Sequence, residues 1–251
     1  MKSRYLLLFF IFLLITIVPS CQKEDKEPEN SPAPPGAKIK RILIYPDIDS
    51  TTPLYIESEY EYDSLGRISR VNHPLYNGVR NGSREYEIYQ YDAEGRLHEI
   101  SNYNQNAEPV WIRLYTYSPD GRLYKISTGY SYSENSEYSI YFYEADRLVK
   151  TENYGDDNSL ANYTLNEYNN QGELTKESDY SPGNQLQVYT LHSYSDSLQI
   201  LSEIYTTFPE VFKIRRIERT FDRNGNLEIL LSKELAPWSS RMSYKLKYEY
   251  F

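Results

Sequence analysis

The residues of this chain best suited to chemistry are aromatic rings set among amides and carboxylates. Tyr76, Trp111, Tyr130, Tyr132, Tyr154 and Trp238 fall in or beside stretches rich in Asn, Asp and Ser. A flat apolar ring with hydrogen-bonding groups around it suits a sugar, which needs a platform for its face and partners for its hydroxyls. The same rings can instead cap the ends of a core. Other chemistry has less support. The three histidines, His73, His98 and His192, lie far apart and lack the spacing of metal ligands. Gly155-Asp156-Asp157-Asn158 offers oxygens but lacks the further acids of an EF-hand loop and reads as a solvated turn. No metal and no cofactor is expected. G-x-S-x-G, P-loop and H-E-x-x-H patterns do not occur. Two carboxylates within roughly 5 to 10 Å would suffice for glycoside hydrolysis, but nothing selects a pair among 36 acidic residues. The chain reads as a protein that binds, with a carbohydrate-active enzyme using paired carboxylates as the alternative.

A repeated phrase must position these rings. It reads Tyr60-Glu-Tyr62-Asp63-Ser-Leu-Gly66-Arg67-Ile68, then Tyr89-Gln-Tyr91-Asp92-Ala-Glu-Gly95-Arg96-Leu97, then Tyr115-Thr-Tyr117-Ser118-Pro-Asp-Gly121-Arg122-Leu123. Degenerate copies follow at 141–148, 167–174, 192–198 and 220–227. The second aromatic recurs as Tyr62, Tyr91, Tyr117, Tyr143, Tyr168, Tyr194 and Phe221, a period of about 25 to 29 residues of the kind that marks a repeat architecture. Aromatic and polar residues alternate within each copy, as strands require. Asp-x-x-Gly supplies a hairpin turn, the Asp capping backbone amides and the Gly taking the left-handed conformation of a G1 bulge. Asp63, Gly66, Asp92, Gly95, Gly121, Gly172, Asp222 and Gly225 are therefore assigned to turns.

If Asp63 faces Arg67, then Tyr62 lies opposite Ile68, Tyr91 opposite Leu97, Tyr117 opposite Leu123, Tyr168 opposite Leu174 and Phe221 opposite Leu227. The same register places Ile88 opposite Ile100 and Leu114 opposite Ile126 on the other face, so both faces are expected to carry apolar pairs. The far ends of the hairpins read as longer, irregular loops, which hold the candidate rings. Seven copies, a leading strand near 40–45 and a closing one near 243–251 make about sixteen strands. Open twisted sheets rarely exceed ~10 strands without curling or splitting. The expected fold is all-β, with repeated antiparallel β-hairpins forming a long, curled meander sheet.

The amino terminus addresses the chain to an envelope. Met1-Lys-Ser-Arg4 followed by the apolar run Tyr5 to Val18 has the pattern of an export signal, and the run is shorter than the ~20 residues of a spanning helix. Val18-Pro19-Ser20-Cys21 resembles the lipobox of bacterial lipoproteins, which implies cleavage before Cys21 and lipidation of its sulfur. Cys21 is the only cysteine, so no disulfide partner competes within the chain. Gln22-Lys23-Glu24-Asp25-Lys26-Glu27 resembles the acidic export tag of Bacteroidota lipoproteins, which implies the outer face of the outer membrane. Residues 22–37, ending Ser31-Pro-Ala-Pro-Pro-Gly36, lack apolar periodicity and read as a disordered spacer. The expected division is a signal peptide (1–20), an acylated tether (21–37) and a hairpin-repeat domain (38–251). Loss of residues 1–20 removes Lys2 and Arg4 from 27 basic residues, leaving 25 against 36 acids and a formal charge of −11. That balance argues against nucleic acid, whose binding needs clustered Lys and Arg.

The repeat phrase resembles the YD repeat of Rhs proteins and teneurins, and the shorter YD-like lipoproteins of the Bacteroidota, over about residues 55–230. The resemblance implies a β-hairpin frame. In large Rhs proteins the repeats wind into a hollow shell around a toxic C-terminal domain, and the copies here are too few to close such a shell. The expected role is a cell-surface lipoprotein acting as a non-enzymatic binding or scaffold module for a glycan or a protein partner. A structural subunit of an envelope complex is a further alternative.

Overall fold

The computed structural model describes residues 37–74, 85–133, 136–196, 198–207, 210–222, 224–236 and 243–251. Cys21, Tyr76 and Trp238 lie outside the described residues. Sixteen strands follow in order: β1 (Ile39–Tyr45), β2 (Tyr55–Tyr62), β3 (Ile68–His73), β4 (Glu85–Tyr91), β5 (Leu97–Tyr103), β6 (Pro109–Tyr117), β7 (Leu123–Tyr130), β8 (Ser136–Glu144), β9 (Arg147–Tyr154), β10 (Leu160–Tyr168), β11 (Leu174–Tyr180), β12 (Leu186–Ser195), β13 (Leu198–Thr206), β14 (Phe212–Phe221), β15 (Leu227–Glu234) and β16 (Tyr244–Tyr250). Every neighbouring pair is antiparallel, and β1 pairs with β16, so the sheet is a closed barrel. The all-β expectation holds, but the curled open meander is corrected: the sheet has no edge.

The Asp-x-x-Gly phrase builds its hairpin through local bonds. Asp63 Oδ1 accepts from the amides of Leu65 and Arg67, both at 2.9 Å, while the Asp63 amide donates to the Arg67 carbonyl at 2.8 Å. Gly66 sits at φ +79°, where an L side chain is strained. The same backbone bonds recur at Asp92, Ser118, Asn169 and Asp222, with Gly95, Gly121, Gly172 and Gly225 in the left-handed position. The pairings expected beside the turn are present: Tyr62 with Ile68, Tyr91 with Leu97, Tyr117 with Leu123, Tyr168 with Leu174 and Phe221 with Leu227.

One residue farther along, the expected register fails. Ile100 pairs with Tyr89, not Ile88, and Ile126 pairs with Tyr115, not Leu114. The register shifts between Gln90 and Tyr91 and between Thr116 and Tyr117, because the bulge inserts one extra residue in the return strand. A one-residue shift exchanges the faces. The aromatic-aliphatic pairs therefore gather on one wall instead of being shared by two. That wall is the inner one, where side chains of non-adjacent strands converge: Ile42, Leu230 and Tyr248 form one buried cluster, and Ile100, Tyr115 and Ile126 another.

The opposite, outer wall carries ion pairs: Arg41–Glu249 (2.5 Å), Arg70–Glu61 (3.8 Å), Lys150–Glu152 (2.7 Å), Lys176–Glu167 (2.9 Å), Arg216–Glu218 (2.7 Å) and Lys233–Glu218 (3.2 Å). Between them stand stacked cross-strand tyrosines, Tyr86–Tyr103, Tyr138–Tyr154, Tyr163–Tyr180 and Tyr189–Tyr205, with centroids 4.7 to 5.2 Å apart.

The repeat phrase also ties each hairpin to the one before it. The second tyrosine donates its hydroxyl to the carbonyl that opens the preceding return strand: Tyr91 to Ile68 (2.8 Å), Tyr117 to Leu97 (2.7 Å), Tyr168 to Leu148 (2.8 Å) and Tyr194 to Leu174 (2.9 Å). The arginine of the preceding copy lies over the same ring, Arg67 on Tyr91 at 4.2 Å and Arg96 on Tyr117 at 4.5 Å.

Closure repeats this pattern across the two ends of the barrel. Tyr250 pairs with Ile39 and Glu249 with Arg41, the offset shown by Tyr62 with Ile68 and Glu61 with Arg70. The Phe251 amide donates to the Lys38 carbonyl at 3.0 Å, as Asp63 does to Arg67. Tyr250 donates to Leu227 at 2.6 Å, and Tyr62 to Ile39 at 2.7 Å. β16 and β1 are thus an eighth repeat whose turn is cut, and the ring contains eight hairpins.

Candidate functional site

The far ends of the hairpins are more regular than their composition implies. Asn104-x-x-Ala107, Gly155-x-x-Asn158 and Ser181-x-x-Asn184 make the same backbone bonds as Asp63-x-x-Gly66, with Ala107, Asn158 and Asn184 at φ of 59°, 61° and 60°. The irregular-loop reading is corrected for these three. Side-chain oxygens supply the cap there too: Asn104 Oδ1 accepts from the Asn106 and Glu108 amides, and Asp157 Oδ1 from the Ser159 amide.

Three of the candidate rings are brought together at one place on this rim. Trp111 on β6 and Tyr130 on β7 are direct cross-strand partners, and Trp111 packs on the Ile100–Tyr115–Ile126 cluster, which sets the pair on the inner wall. Tyr132, just past β7 and 79% exposed, stacks on Tyr130 with centroids 5.3 Å apart and planes 28° from parallel. Tyr154 is elsewhere: it stacks on Tyr138 on the outer wall and donates to Glu152 at 2.7 Å. It does not belong to this group.

Polar side chains that sequence reading missed lie beside the rings. Arg113 on β6 covers the Trp111 ring at 4.9 Å and reaches Thr128 Oγ1 at 3.4 Å, and no carboxylate lies within 4 Å of it among the described residues. Asn102, opposite both Trp111 and Glu87, is 2% exposed, and its Oδ1 has no partner among the described residues. Tyr115 is 4% exposed, and its hydroxyl likewise has no partner among them. Buried polar atoms normally find a bond, so each orphan marks a place where a ligand or water would be bound favourably.

Burial keeps the tyrosine hydroxyls of this wall protonated and so able to donate. Burial raises the Tyr115 hydroxyl above its ordinary pKa, although Arg113 alongside pulls the other way without hydrogen-bonding geometry. Burial also pushes Tyr141 up to about 12. Deeper in, Glu87 accepts from the Tyr89 hydroxyl at 2.7 Å and lies 3.7 Å from His73 Nε2. Burial opposes the Glu87 charge, but the nearby His73 imidazole and the hydrogen bond from Tyr89 hold its carboxyl below the ordinary value. Among the described residues no three His, Cys, Asp or Glu converge as metal ligands.

A row comparison of the repeats could have revealed Glu87 and Arg113. They stand two residues before the first tyrosine of their copies, where the others hold Ser58, Ser139, Thr164, Thr190, Ile217 and Leu246. Without knowing that this row faces inward, the charges look like ordinary surface residues.

No family model matches the chain, and no curated protein matches it. Among solved structures, a porin-like protein from Bacteroides uniformis aligns over 85% of this chain and 98% of its own, at 10% identity and TM-score 0.55. A porin-like protein from Bacteroides vulgatus aligns over 86% of this chain and 99% of its own, at 13% identity and TM-score 0.37. The first likeness shows a shared barrel architecture.

Proposed function

We propose that this chain is a surface-tethered, non-enzymatic binding module of YD-repeat type, held at the outer membrane by lipid on Cys21. Its barrel stands in water and offers the Trp111–Tyr130–Tyr132 platform to a glycan. The observation that carries this reading is an aromatic platform whose Trp111 faces Asn102 across the β5–β6 pair and packs on the cluster that contains Tyr115, the Asn102 Oδ1 and the Tyr115 hydroxyl both being unpartnered among the described residues. A sugar face would lie on the rings while its hydroxyls reach the orphan oxygens and Arg113.

The outer wall supports a barrel outside the bilayer. Spanning barrels turn an apolar band about 25 Å tall to lipid, and an Arg or Lys there costs about 2–4 kcal/mol near the midplane. Here Arg41, Arg70, Lys150, Lys176, Arg216 and Lys233 occupy that wall as ion pairs. A lipid chain and a spacer would hold such a body at the membrane without inserting it.

A glycan microarray probed with the purified full chain tests the platform. The expected result is binding to a defined set of glycans that falls at least about tenfold in Trp111→Ala, the order expected when one buried aromatic anchor is removed. Binding that survives both Trp111→Ala and Tyr132→Ala with unchanged affinity would exclude this platform as the site.

A further inference from the structure

The row of first tyrosines runs around the inner wall as Tyr60, Tyr89, Tyr115, Tyr141, Asn166, His192, Arg219 and Tyr248. Five of these eight are Tyr, and the interruption is contiguous. Their cross-strand partners change over an overlapping stretch, from Val71, Ile100 and Ile126 to Thr151, Glu177 and Ser202, before Leu230 and Ile42 restore the apolar pattern. One arc of the wall, from β10 to β14, is thus rebuilt from ionisable and hydrogen-bonding groups. Tyrosine fits the same position elsewhere without burying a charge, so the frame does not require an arginine here.

The groups of this arc form a connected line. Arg219 Nη1 donates to Ser202 Oγ at 2.9 Å, and Gln199 Nε2 donates to the same oxygen at 3.0 Å. Ser202 Oγ lies 3.0 Å from His192 Nδ1, and His192 Nε2 lies 2.8 Å from Glu177 Oε2. The order Ser, His, Glu has the outline of a hydrolase triad. However, Ser202 is 2% exposed and its oxygen already accepts from Arg219 and Gln199, so no lone pair is free to attack. The line instead fixes one edge of the Arg219 guanidinium and occupies Glu177 with His192.

Arg219 itself is left without a counter-ion. It is 8% exposed, and no carboxylate lies within 4 Å of it among the described residues. Among the described residues its one side-chain partner is a neutral hydroxyl. Its Nε and Nη2 make no bond to the described residues, yet they are not sealed from water. Burial lowers its pKa from the ordinary guanidinium value, a sign of poor solvation, although it stays charged at any physiological pH. A desolvated cation is costly unless it is paired. A planar fork with two free donor positions is the geometry that accepts two oxygens of one acid group.

We infer that Arg219 anchors an oxyanion-binding site on the inner wall of the barrel, with carboxylate, sulfate or phosphate as the group bound. Ser202, Gln199 and His192 are positioning residues that hold the fork. The site is independent of the Trp111 platform, which lies on β6 and β7, eight and seven strands from β14 in the ring.

The test is thermal unfolding of the detergent-extracted full chain in sodium sulfate, sodium phosphate or sodium glucuronate, each against sodium chloride at equal ionic strength. A saturable rise in Tm is expected for at least one oxyanion, about 5 °C at roughly a hundred times Kd. The general salting effect of sulfate does not saturate and is common to all variants. Arg219→Tyr, which restores the row, should fold and lose the saturable part. Arg219→Lys should weaken it about tenfold, since the charge stays and the fork goes. Trp111→Ala should leave it unchanged, whether or not the chain binds glycans. Glucuronate tighter than the inorganic ions identifies the acid group of a sugar, whereas equal or tighter inorganic binding identifies a free ion. The inference is overturned if no oxyanion gives a saturable shift, or if Arg219→Tyr keeps it. Should Arg219→Tyr fail to fold, unchanged affinity in Arg219→Lys overturns it equally.

Discussion

At the scale of single residues, the inner wall is where side-chain identity carries information, and the His73–Glu87 pair shows how. Burial alone would lower the His73 pKa, but the facing Glu87 carboxylate outweighs it and raises the imidazole above its ordinary value. Glu87 moves the opposite way, held below its ordinary value by His73 and Tyr89 against burial. A raised histidine contributes stability that is complete below the unfolded imidazole pKa, near 6.5, and is lost as pH rises through the folded value. A lowered glutamate contributes stability that is present above its unfolded pKa and is lost as pH falls through the folded one. The pair therefore stabilises most in mildly acidic solution, between those limits. In urea unfolding from pH 5.5 to 8.5, the wild-type chain should lose more stability than His73→Gln. Equal pH slopes for the two proteins would show that the pair contributes nothing. Row position alone singles out Glu87 in the sequence, whereas its partner His73 comes from a neighbouring strand whose register the bulge displaces.

At the scale of elements, the unit of construction is a hairpin joined to the hairpin before it. The tyrosine hydroxyl satisfies a carbonyl at the start of the preceding return strand, next to the bulge that disrupts the ladder. Net, such a bond is worth about 1 kcal/mol. Tyr117→Phe and Tyr250→Phe should each destabilise the barrel by about that amount in urea titrations. Tyr143→Phe should cost less than about half as much, because its hydroxyl makes no such bond to Leu123 and Arg122 only covers its ring at 5.5 Å. Equal losses at all three positions would mean that the hydroxyl ties do not hold the hairpins together. Phe221 fits the same logic, a copy of the phrase that keeps the ring without the hydroxyl. The turns, the strand count and the Tyr–Leu pairs beside each turn were legible because they depend on neighbours within about ten positions in sequence. The tie between hairpins was not, since it spans 20 to 23 positions and runs from a side chain to a backbone oxygen.

At the scale of the whole molecule, closure decides what each wall faces. A sheet without edges offers no strand for pairing with another chain, and under the proposed function its ion-paired outer wall faces water while lipid on Cys21 holds the chain at the membrane. Cys21→Ala should therefore move the chain from the membrane fraction to the soluble one, and the released protein should run as one monodisperse species in size exclusion without detergent. Dependence on detergent in that experiment would place the outer wall against lipid instead.

By itself, the sequence determined the hairpin, its turn and seven of its eight copies, because hydrogen-bonding side chains and left-handed glycines act within a few residues. Tyr248-Glu249-Tyr250 and Ile39-Lys40-Arg41-Ile42 also carry the two halves of the repeat phrase. Only the tertiary structure joined those halves across 208 positions between Arg41 and Glu249 and so turned a meander into a ring. It also decided which face turned inward. The bulge at each turn displaces the register by one residue, and in a strand one residue is the difference between the wall that gathers the tyrosines and the wall that carries the ion pairs.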